Sequence, residues 1–149
     1  MVAPSARSER AWWWTFLVHL GAGAWPPRAE PAAQTLRFAC LALKDAGAKI
    51  VARLDHMAEA KAIGRPMRRT ALLIFGNPAV GAPLMLRNQT IGIDLPMKAL
   101  AWEDERGQVW LTYNAPAYLA ERHGVSGSTE ALDAMRKGLE RFTDAATRP

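Results

Sequence analysis

A single cysteine, Cys40, in 149 residues excludes an internal disulfide and a cysteine-based zinc site. A lone thiol is compatible with either side of a membrane, so it leaves the compartment open. Nowhere does an apolar run approach the ~18 residues that a membrane-spanning helix needs, although half the residues are hydrophobic. The sequence therefore predicts a soluble body with no integral membrane segment. Also missing are the phosphate loop GxxxxGK(S/T), the dinucleotide fingerprint GxGxxG, the zincin HExxH and the hydrolase elbow GxSxG. The familiar enzyme classes lose their usual supports, and no catalytic residue or cofactor is assigned.

What is present fits one domain, because a chain of this length can bury a working core but cannot hold two full domains. A formal net charge of +5 raises the question of nucleic acid. Lys and Arg are scattered among Asp and Glu, however, and the densest basic run (Arg65, Arg68, Arg69) lacks interleaved aromatics. Solvated surface charge is the favoured reading, and no nucleic-acid partner is expected.

Residues 1–33 differ in composition from the rest, with Trp12, Trp13, Trp14 and Trp25 close to Pro26 and Pro27. Three readings stand side by side. The segment is an export signal with a basic start at Arg7 and Arg10 and a small-residue site at Ala22-Gly23-Ala24. Alternatively, residues 12–20 form a β-strand followed by a Pro-rich linker, or the start is mis-assigned. Localisation follows the choice: cytoplasmic, or exported if the signal reading holds. No functional expectation rests on this segment.

From residue 34 to about residue 146 the pattern is that of one α+β domain. Leu36, Ala39, Cys40 and Leu43 mark one face of a helix over residues 34–46, stopped by Gly47, with Cys40 as a packing residue. Residues 49–55 alternate, with Ile50, Ala52 and Leu54 on one side. Residues 57–63 suffice for two helical turns. The apolar run 70–75 closes on Gly76-Asn77-Pro78 and reads as a central strand meeting a tight turn. Residues 97–103 and 108–114 flank Asp104-Glu105-Arg106-Gly107 as an antiparallel hairpin, carrying Trp102 and Trp110 as packing residues. Pro116 opens a helix ended by Gly124, and Ser128 caps a last helix with the stripe Leu132, Met135, Leu139 and Phe142. Helices separated by antiparallel strands predict an antiparallel-rich sheet with helices packed on one face.

A set of words punctuates this body. They are Leu54-Asp55-His56, Ile74-Phe75-Gly76-Asn77-Pro78, Gly81-Ala82-Pro83-Leu84-Met85, Ile93-Asp94-Leu95-Pro96-Met97-Lys98, Tyr113-Asn114-Ala115-Pro116 and Arg122-His123-Gly124. In this order and spacing the chain resembles the domain-of-unknown-function 302 family over residues 34–124. The resemblance implies a β-α-β4-α arrangement similar to TATA-binding-protein-like domains and, for some members, dimers; it implies no activity. The family's first strand falls where this chain has its Trp-rich stretch, which puts the sheet edge in doubt.

Each word sits at a strand end or in the turn after it. If those ends share one rim, Asp55, His56, Asn77, Asp94, Tyr113, Asn114 and His123 line a single cleft. For Asn77, Asp94 and Asn114, each near a proline, turn-making is the favoured role. His123 suits the end of a helix, where a cation meets the negative pole. Gly76, Gly81 and Pro83 shape a loop whose N–H groups could face an anion, with a plain turn favoured.

Three functions remain, in this order. A binding module would hold a small molecule, or a metal on His56, His123 and Asp55 or Asp94. An interaction domain would form a homodimer through an exposed sheet edge. An enzyme would use His56 as general acid or base with Asn77, Tyr113 or Asn114 on substrate.

Overall fold

The computed structural model describes residues 15–19, 47–127 and 129–147. The helix expected over residues 34–46, with Cys40, lies outside the described residues. Five strands form one antiparallel sheet: β1 (Thr15–His19), β2 (Lys49–Asp55), β3 (Thr70–Gly76), β4 (Met97–Glu103) and β5 (Val109–Asn114), in the spatial order β1-β5-β4-β3-β2. Between and after them come α1 (His56–Ala62), α2 (Pro78–Arg87), a 3₁₀ turn (Gln89–Ile93), α3 (Pro116–Arg122) and α4 (Thr129–Thr147). This is the α+β arrangement that the sequence predicts.

Register divides the side chains between two faces. Leu73 pairs with Ala99, Phe75 with Met97 and Ala101 with Leu111, and all six are buried on one face. Against them pack Leu84, Ile91, Leu119, Met135, Leu139 and Phe142 from the helical elements. The Phe75 and Phe142 rings stack at 5.3 Å, so the last helix sits directly over the central strands. Three of the four residues in the predicted stripe, Met135, Leu139 and Phe142, are buried, and Leu132 packs beside them half-buried.

The other face is different. Thr70 pairs with Trp102, Leu72 with Leu100, Ile74 with Lys98 and Trp102 with Trp110. None of these residues is fully buried, although most are apolar.

Three departures from the sequence expectations have local causes. First, a bulge between Ile50 and Ala52 places Ile50 opposite Phe75 but Ala52 and Leu54 opposite Ile74 and Leu72. An extra residue in one strand reverses the side on which the following residues lie, so Ile50 and Leu54 do not share a face. Second, the word Gly76-Asn77-Pro78 opens the ten-residue helix α2 instead of a tight turn. Asn77 is its N-cap and Pro78 occupies its first turn, a strong start that the poor helix formers Gly81 and Pro83 conceal in the sequence. Third, the sheet edge that the sequence leaves in doubt is occupied by β1, with Phe16 opposite Tyr113 and Val18 opposite Leu111. An unpaired β5 edge is thus not available to support a dimer.

Candidate functional site

The antiparallel register fixes which strand ends are neighbours. Asp55 pairs with Ala71 at one end of the sheet, whereas Lys49 pairs with Gly76 at the other. Asp55 and His56 therefore share their end with Trp102, Glu103 and Trp110. Asn77, Asp94 and Asn114 belong to the opposite end. Six residues of strand separate the two, roughly 20 Å at ~3.3 Å per residue. The single rim expected to gather all seven candidates is divided in two.

At the far end, the polar residues are consumed by the chain itself. Asn77 Oδ1 accepts the Ala79 N–H at 2.9 Å and so caps α2. Asp94 and His123 come together as a pair, with His123 Nε2 donating to Asp94 Oδ2 at 2.6 Å. On the other side of the ring, Nδ1 lies 3.0 Å from the Thr90 hydroxyl. Asn88 completes the set: its Nδ2 donates to the His123 carbonyl at 2.7 Å, and its Oδ1 accepts from the Thr90 hydroxyl at 2.8 Å and from the Thr90 N–H at 3.0 Å. Both ring nitrogens are held, and the His123 side chain is only 6% exposed. Arg122 Nε stands 3.6 Å from the same Asp94 oxygen, and Lys98 Nζ donates to the Asp94 carbonyl at 3.1 Å.

Hydroxyl, imidazole and carboxylate in a row are the parts of an activated nucleophile. Here the Thr90 hydroxyl has a second acceptor in Asn88, and the bonds join the 3₁₀ turn, the loop after it and the end of α3. The arrangement cross-links three segments, each of which lacks a long secondary-structure ladder of its own.

Tyr113, on the helix-covered face of β5, has its hydroxyl pKa pushed above 10.0 by burial and by the negative charge of Glu140. Asn114 sits opposite Thr15 where β5 meets β1. Neither joins the Asp94–His123 pair through a described hydrogen bond.

At the near end, Asp55 caps α1 by accepting the Ala58 N–H at 2.9 Å. His56 follows at the first helical position, its Nδ1 3.1 Å from Glu59 Oε2. A metal shared by His56 and His123 is excluded by their placement at opposite ends of the sheet. Among the described residues there is also no group of three His, Cys, Asp or Glu able to hold an ion.

His56 instead lines a groove of about 960 Å³ on the half-buried face of the sheet. Leu100, Trp102 and Thr70 form its floor, Pro66, Met67 and Arg68 of the loop before β3 form one wall, and Glu103 closes the end. The floor is rigid for a reason that is visible in the hairpin. Trp102 stacks on Trp110 at 6.3 Å and 23°, and its indole N–H donates to the Thr112 hydroxyl at 2.9 Å. Trp110 donates its own N–H to Asp104 Oδ2 at 2.9 Å, while Asp104 Oδ1 accepts the Arg106 and Gln108 amides. Asp104 thus organises the turn and the aromatic pair together, and Gly107, at φ +76°, supplies the left-handed residue that the turn requires.

Of the groove-lining residues the sequence singles out His56 alone, and it gives Asp104 no role beyond its place in the polar turn. The Asp-x-x-Gly spacing of the turn was the available signal for Asp104, since Asp at the first position of such a turn accepts following amides.

Comparison with known proteins agrees with the architecture. The family model described as "Domain of unknown function DUF302" matches residues 29–146. A crystal structure of an uncharacterized conserved DUF302 protein from Bacillus stearothermophilus superposes with a TM-score of 0.74, covering 90% of this chain and 98% of that one at 17% identity. Among curated proteins, the chain is 45% identical over 115 residues to a fluoride-specific ion channel, FluC 1, of Brucella suis, and likewise to FluC 1 of Brucella abortus. The match takes in 76% of this chain but 45% and 43% of those proteins, so the chain spans less than half the length of these relatives.

Two expectations follow from the geometry. Replacing His123 by Ala removes the imidazole partner of the largely buried Asp94 carboxylate while the Asn88 bond to the residue-123 carbonyl survives; urea unfolding should show a loss of ~1–3 kcal/mol, with Thr90→Val costing about 1 kcal/mol. A loss below half a kilocalorie for His123→Ala would show that the cross-link contributes nothing. For Asp104, the Trp110 indole N–H, followed by the Gln108 amide, holds the carboxyl pKa below its ordinary 3.8. A depressed folded pKa means that its stabilisation is present above 3.8 and is lost as pH falls through the lower folded value. Acid titration followed by Trp fluorescence should therefore lose its lowest-pH step in Asp104→Asn. An unchanged acid limb would rule out Asp104 as its source.

Proposed function

The chain belongs to the domain of unknown function DUF302 family, and on that premise we propose that it is a small-ligand-binding module whose site is the groove over Leu100 and Trp102. The observation that carries the reading is the groove itself: about 960 Å³ of concave surface with an apolar floor and a polar rim. That combination suits a small organic molecule, because apolar walls supply affinity and a few placed polar groups fix orientation. His56 is the one residue singled out in the sequence as a ligand contact that also lines this groove. Asn77, Asp94 and His123 serve as caps and cross-links in this reading, and Tyr113 and Asn114 lie on other parts of the sheet.

Screening a fragment library against the ¹⁵N-labelled chain tests the site. Shifted resonances should cluster on Thr70, Leu100, Trp102 and Met67. Leu100→Gln, on a half-buried face where a polar side chain is tolerated, should weaken the hits at least tenfold while leaving the melting temperature within a few degrees. Hits that map elsewhere, or that ignore Leu100→Gln, would refute the groove.

A second reading is favoured by the Brucella proteins. We propose that the chain acts together with a membrane fluoride channel, as the region it matches does in those longer proteins. Among the described residues no helix is long and apolar enough to cross a membrane. Fluoride efflux from vesicles holding a Brucella channel truncated of the matching region should change when this chain is added in trans. Identical efflux with and without it, and no co-purification, would remove the reading.

A further inference from the structure

We propose that the groove selects a planar aromatic anion: a flat apolar body laid on Leu100 and Trp102, with a carboxylate or comparable group held by Arg68. This rests on the groove reading above and deepens it by naming the chemical class of ligand. The body is set by the floor. Both indole N–H groups of the Trp102–Trp110 stack already have acceptors, Thr112 and Asp104, so the floor does not ask for a polar partner through either of them. The ring of Trp102 is also held in place by its stack, which lowers the cost of ordering it around a flat ligand.

The sign of the head group follows from how the charged residues around the groove are paired. Glu103, the one acidic residue in the lining, is matched by Arg69, whose Nε lies 3.8 Å from its carboxylate. Arg69 carries surplus donor capacity as well, since its Nη1 is buried without a hydrogen-bond partner. Arg68, in contrast, is held among the described residues by Glu105 at 3.7 Å, with the two side chains 56% and 85% exposed. An ion pair of that kind is nearly free to exchange partners. Arg68 is thus the more exposed and more readily exchanged of the two guanidiniums, while Glu103 already faces the less exposed Arg69. A guanidinium also matches the geometry of a carboxylate in two parallel hydrogen bonds.

Three naphthalenes with the same body and different heads separate the ligand class from the site: 2-naphthoate, 2-naphthalenemethanol and 2-naphthylmethylammonium. Titrated into the full chain and followed by NMR, the carboxylate should bind at least tenfold more tightly than the alcohol, with the ammonium weakest. Arg68→Gln should bring the carboxylate down to the level of the alcohol and leave the alcohol unchanged. If all three bind the groove equally, or the ammonium binds best, the anion preference is overturned and the groove reading survives. If none shifts Leu100 or Trp102, the aromatic class is overturned, and the fragment screen decides separately whether the groove binds anything.

Discussion

Two-residue alternation along β3 and β4 is the constraint from which the rest of the molecule follows. Leu73, Phe75, Met97, Ala99 and Ala101 are sent to one side, where α4 and the segments around α2 and α3 bury them. The small residues Ala99 and Ala101 are fully buried on that side, which lets the large side chains of the helices come close to the sheet. What alternation gives to one face it takes from the other. Leu72, Ile74, Leu100 and Trp102 are left half-buried, and the loop before β3 turns that surface into a groove.

The second constraint is the need to satisfy backbone groups where elements begin. Asp55, Asn77 and Asn88 each accept an amide from the first turn that follows. The Asp94–His123 pair ties down segments that have no ladder to hold them. Short polar side chains at strand ends are thereby spent on architecture, which is why, His56 apart, the conspicuous polar words in the sequence do not line the concave surface.

Much of the fold was legible because it is written in periodicity. The hairpin of β4 and β5, the central strand β3 and the apolar stripe of α4 each carry many residues in one pattern, and errors at single positions average out. The bulge in β2 was not legible, because one inserted residue changes the facing of Leu54 without altering the alternation that precedes it. Helix α2 was hidden by Gly81 and Pro83, although Asn77-Pro78 is a good helix start. At the site, sequence reasoning could name strand ends but not assign them to the two ends of an antiparallel sheet. Asp55 and Asn77 look alike in sequence and lie on opposite sides of the molecule because β2 and β3 run in opposite directions. The groove was illegible for a related reason: Met67, Leu100 and Trp102 are brought together by pairing between strands and by a loop, and no spacing in the chain announces it.

The sheet is one-sided: a sealed face makes the domain stable, and an accessible face carries the proposed groove site. Hydroxyl-radical footprinting of the free chain reads the two faces at once, because Met67 and Trp102 lie on the groove while Met135 and Phe142 lie in the core. Rapid modification of Met67 and Trp102 with protection of Met135 and Phe142 is the predicted result. Protection of Trp102 and Met67 to the same degree as Phe142 would mean that both faces are sealed, and would contradict the account.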